Sequence, residues 1–86
     1  MPIMTDDQII KIIDDPKTTE LQVLELFEMC VAARDMCYTV TLAFRQWFVW
    51  SGNDELINFW EGYYERGWSH EHMIDVLWSL QSDFRN

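Results

Sequence analysis

A chain of 86 residues is enough for one domain with a thin core, because a body of this size buries only a little over half of its unfolded surface. Apolar residues make up 49% and aromatic ones 15%, with five Trp, which excludes a disordered chain and leaves more apolar surface than one small core hides. Fifteen acids against six bases give a net charge of -9. That balance excludes direct binding of nucleic acid, where Lys and Arg must displace counterions from phosphates, and it disfavours anionic membranes.

The first stretch, Met1 to Asp7, carries two acids and no basic segment, so no secretory signal is expected. No apolar run reaches the roughly 20 residues that cross a bilayer. Thr5 followed by Asp6, Asp7 and Gln8 predicts a capping box with acids at the positive end of a helix. Ile9, Ile10, Ile12 and Ile13 continue it at helical spacing, and Asp15 and Pro16 end it.

Thr19 to Gln22 is a second capping box. The helix after it is apolar at Leu21, Val23, Leu24, Leu26, Phe27, Cys30 and Val31, with a narrow polar stripe of Gln22, Glu25, Glu28 and Asp35. A helix with so little polar face is buried on most sides. It is expected to be the centre of a bundle or the seam of a dimer. Cys30 and Cys37, placed on one helix, would stand about 10.5 Å apart, beyond the roughly 7 Å a disulfide spans. Reduced thiols and a cytoplasmic location follow as expectations.

From Tyr38 to Arg45, apolar and polar residues alternate as in a strand. No second strand candidate exists to pair with it, and a lone strand leaves its backbone groups unsatisfied. A third helix over about Met36 to Trp50 is therefore preferred; a strand there would demand another chain. Ser51, Gly52 and Asn53 break this element and cap the next. Asp54 and Glu55 open a fourth helix, Leu56, Phe59, Trp60 and Tyr63 form its buried face, and Arg66 and Gly67 close it. Ser69 caps a final helix with Met73, Ile74, Leu77, Trp78 and Phe84 as its apolar residues. The predicted fold is all-α, a single helical domain over residues 1–86 built as a compact bundle of four to five short helices.

Ser69-His70-Glu71-His72 is the one cluster resembling chemistry. Helical metal ligands stand three or four residues apart, whereas His70 and His72 diverge by about 200° around the axis. A Ser-His-acid triad fails for the same reason. The carboxylate pairs Asp6/Asp7, Asp14/Asp15, Asp54/Glu55 and Glu61/Glu65 sit at caps or on polar faces, not in the apolar burial that general-acid work needs. With only three glycines there is no phosphate loop. No catalytic site, cofactor or metal is expected, and the chain is read as non-enzymatic.

The rings are more informative. Trp47, Phe48, Trp50, Phe59, Trp60, Tyr63, Tyr64 and Trp68 fall within one short stretch, and the adjacent pairs spread over a wide arc of a helix, so some ring must face outward. Trp50, Tyr64 and Trp68 are the expected anchors for a partner. Charge is uneven as well: residues 1–28 and 54–86 each carry a net -5, while 29–53 carry +1. Asp54, Glu55, Glu61, Glu65 and Glu71 supply the charge around those anchors.

In size, acidity and compactness the chain resembles small phage-encoded inhibitors of nucleic-acid-binding machinery, anti-CRISPR proteins among them. That resemblance implies an inhibitor acting in a host cytoplasm by occluding a basic, nucleic-acid-binding protein. The alternative expectation is a structural or regulatory homo-oligomer, such as a homodimer, joined through the apolar second helix.

Overall fold

The computed structural model describes residues 4–34 and 36–86; the polar-stripe reading of Asp35 and the start of the leader reading, residues 1–3, lie outside them. The order of elements is α1 (Asp6–Asp14), α2 (Glu20–Ala33), α3 (Tyr38–Val49), α4 (Asp54–Trp60), a π-helical turn (Glu61–Glu65) and α5 (His70–Arg85). The all-α fold and the helix count agree with the sequence, and no strand occurs among the described residues.

Both capping boxes form as expected. Gln8 N–H donates to Thr5 Oγ1 at 3.3 Å while Thr5 N–H donates to Gln8 Oε1 at 3.0 Å. Thr19 and Gln22 repeat the exchange at 3.2 and 2.9 Å. Each box satisfies two backbone donors that a helix start leaves without partners. α2 ends differently, with Arg34 in the left-handed region at φ 54° and ψ 33°.

Residues 38–45 are helical. Val40, Ala43, Phe44 and Phe48 point inward at helical spacing, and the hydroxyl of Thr41 donates to the carbonyl of Cys37, four residues back, at 3.0 Å. That bond lets a strand-favouring residue sit in a helix without an orphaned hydroxyl. Burial of the 3.6-residue face outweighs the β-propensity of the side chains.

α2 is the central helix. Val23, Leu24 and Phe27 are fully buried, and the Phe27 ring meets Phe44 at 5.1 Å, Phe48 at 5.3 Å, Phe59 at 5.7 Å, Trp60 at 6.2 Å and Tyr63 at 5.3 Å. All five contacts are edge-on, the arrangement that brings the positive rim of one ring to the negative face of another. α5 crosses α2 in the opposite sense: Trp78 and Gln81 reach back to Glu28, and Arg85 reaches Glu25. α1 runs alongside α3 in the same direction, since Asp6 lies beside Cys37 at one end and Asp14 shares a hollow with Gln46 and Trp50 at the other.

The sequence places Trp78 on the inner face of α5, and here the structure differs. Met73, Leu77, Leu80 and the amide of Gln81 are buried, whereas Trp78 is exposed. The inner stripe of α5 runs through Met73, Leu77, Leu80 and Gln81, and Trp78 lies at its edge, where its indole N–H reaches Glu28.

Candidate protein-interaction surfaces

An acidic surface is built on α4 and the π-turn, with Asp54, Glu55, Glu61 and Glu65. Asn53 Oδ1 accepts from Glu55 N–H at 2.9 Å and Leu56 N–H at 3.3 Å, which fixes the start of α4. Leu56, Phe59 and Trp60 then turn inward. Asp54, Asn58 and Glu61, spaced by four and three, lie along the outer face. Arg66 Nη1 donates to Asn58 Oδ1 at 3.3 Å, which holds the guanidinium to an amide and leaves the carboxylates alone.

At Glu61 the helix widens. Arg66 N–H bonds to the carbonyl of Glu61, five residues back, at 2.9 Å, as a π-turn requires. Trp68 N–H then returns to the carbonyl of Gly62 at 3.1 Å, a closure that Gly67 permits through its left-handed φ of 66°. The turn sorts the two adjacent tyrosines. Tyr63 faces the Phe27 ring; burial raises its pKa above the ordinary phenol value, and the neighbouring Tyr64 raises it further. Tyr64 stays 57% exposed yet stacks on the buried Trp60 at 5.3 Å and 12°. One face of its ring is anchored and the other is open to a partner.

The eight residues expected to meet a partner are not all brought together. Asp54, Glu55, Glu61, Tyr64 and Glu65 belong to the α4 surface. Glu71 is exposed in the first turn of α5. Trp50 is 85% exposed, but it sits at the C-terminal end of α3 against the hollow formed with Ile13, Asp14 and Ala43. Trp68 is half-buried: its indole lies across Gly62, meets Phe59 edge-on at 6.2 Å, and meets His72 at 4.6 Å. It closes the π-turn.

A second ring-and-acid surface, on the α2–α5 seam, is absent from the sequence reading. Trp78 is 55% exposed, and its Nε1–H donates to Glu28 Oε2 at 3.0 Å. The other oxygen, Glu28 Oε1, accepts from the buried Gln81 amide at 2.9 Å. Glu71 and Asp75 precede Trp78 on the same stripe, spaced by four and three. That spacing was the signal available: Trp78 continues an acidic stripe rather than the apolar one.

Among the described residues the single ion pair is Arg85 to Glu25 at 3.4 Å, with both side chains about half exposed; such a pair contributes little. The carboxylates of α4 are therefore not neutralised within the molecule. Also among the described residues, no three His, Cys, Asp or Glu side chains come together to hold a metal, and no helix is long and apolar enough to cross a membrane. Cys30 is buried on α2, while Cys37 caps α3 with its Sγ 3.2 Å from Asp6 Oδ2. Comparison with protein families, curated proteins and solved structures finds no match.

Proposed function

We propose that the chain is a non-enzymatic protein-binding module that docks its α4 surface onto a basic, nucleic-acid-binding partner and inhibits it by covering the basic site. The observation that carries this reading is Tyr64, a ring stacked on Trp60 and left 57% exposed, on a helical stretch that also carries Asp54, Glu55, Glu61 and Glu65, none of which is ion-paired among the described residues. Pre-set aromatic rings contribute disproportionately to interface energies. Unneutralised carboxylates around such a ring supply steering and complementarity toward Lys and Arg, at the cost of self-repulsion in the free molecule.

The test is capture of basic nucleic-acid-binding proteins on the immobilised chain at low and high salt, beside a variant carrying Glu61→Gln, Tyr64→Ala and Glu65→Gln. Retention that falls with salt and with the triple substitution supports the reading. Retention indifferent to both refutes it. Assembly through α2, the other reading of the sequence, has little surface to use, because Val23, Leu24, Leu26, Phe27 and Cys30 are buried in the chain's own core and Met29 is the large apolar side chain left exposed there.

A further inference from the structure

The outer face of α3 is unlike the rest of the surface. Tyr38, Leu42, Arg45 and Val49 recur at spacings of four, three and four, which places them in one stripe opposite the inward Val40, Phe44 and Phe48. Tyr38 is 75% exposed, and Leu42 and Val49 are each more than a third exposed. Trp50 adds a nearly bare indole at the end of the stripe. Residues 36–53 contain no carboxylate, so all fifteen acids of the chain lie elsewhere. Arg45, in the middle of the stripe, makes no ion pair among the described residues.

We propose that this face is a self-association surface, covered in solution by the α3 face of a second copy of the chain. Charge selects the occupant. A basic partner would meet Arg45 and no acid on the stripe itself. Two copies of a molecule of net charge -9 set carboxylate against carboxylate least where the contacting stripe itself carries none, and the outer stripe of α3 is such a place. The stripe is apolar on both copies, and each Arg45 reaches toward the acidic flank of the other, where α1 supplies Asp6 and Asp14 beside α3. An isologous pairing of this kind is self-complementary by symmetry. One helix face about 17 Å long with a terminal indole is smaller than the roughly 800 Å² per partner of a standard stable interface. The dimer is accordingly reversible and concentration-dependent.

Its salt response is opposite to that of the basic-partner complex. Repulsion between two acidic bodies is screened by salt, so dimerisation strengthens as salt rises. The test is sedimentation velocity on the full chain from micromolar to millimolar concentration, at low and high salt. A dimer fraction rising with both is expected, and Leu42→Glu should raise the dissociation constant about tenfold or more by replacing an apolar contact of the seam with a carboxylate that must be desolvated. Tyr38→Ser, at a side chain too exposed to matter for folding, is the second variant and should weaken the dimer in the same direction. Glu61→Gln on α4 should leave it dimeric. A chain monomeric at every concentration overturns the proposal, as does a dimer unaffected by Tyr38→Ser and by a Leu42→Glu chain of unchanged helical content.

Discussion

The indole of Trp68 lies across Gly62, in the space that any side chain at that position would enter. The two residues are partners in one device: the π-turn brings Trp68 back over the helix it has just left, and only a residue without a Cβ fits beneath it. Gly62→Ala should therefore destabilise the fold by about 2–3 kcal/mol, as overpacking does, although alanine ordinarily favours a helix over glycine. Urea unfolding measures this. In a Trp68→Ala background the same change should cost far less, because the clashing ring is gone.

Tyr63 sets a pH dependence. Its pKa is raised above 10.0, first by burial and then by Tyr64, so the folded state holds the phenolic proton more tightly than the unfolded chain does. Stability from this source is complete below the unfolded value and is lost as pH rises through the folded one. Urea midpoints should fall above about pH 10. Tyr63→Phe should flatten that part of the profile; an unchanged slope would remove Tyr63 as its cause.

Glu28 supports the α2–α5 seam from both oxygens. Glu28→Ala takes away the charged acceptor of the buried Gln81 amide, whose other contact, to the Leu24 carbonyl, is long at 3.4 Å. The expected loss is about 1–3 kcal/mol. Glu28→Gln retains an acceptor oxygen and should cost less. Thermal denaturation of the two variants side by side decides it.

Arg34 holds a left-handed backbone at φ 54° where helix ends usually carry glycine. Arg34→Gly should relieve that strain and, after the added freedom of the unfolded chain is subtracted, stabilise the protein by about 0.5 kcal/mol. A lower melting temperature would mean that the Arg34 side chain contributes more than its backbone costs.

What could be read from the sequence was local. The starts of α1 and α2 are written in Thr-x-x-Gln, and those of α4 and α5 in Asn53 and Ser69, because a cap is made by residues three apart. Tyr64 was legible as an outward ring because its neighbour Tyr63 takes the inward position. The π-turn was not legible, since it depends on Gly62 and Trp68 meeting across a turn. Trp68 read as an anchor because the rings crowd a wide arc of helix, and its place over Gly62 and against Phe59 shows only once the chain folds back. Helix or strand at 38–45 was decided by Thr41 and by Phe27, the latter on another helix. Trp78 was misplaced because its role depends on Glu28, fifty residues away.

Phe27 also governs how the molecule comes apart. Its ring is shared by side chains of α3, α4 and the π-turn, so none of these segments can swing away while the others keep their native environment. Amide protons along the middle helices should accordingly exchange with solvent together, at one common and slow rate set by global opening. Within α2, α3, α4 and the π-turn, no line is left along which the molecule could open by halves.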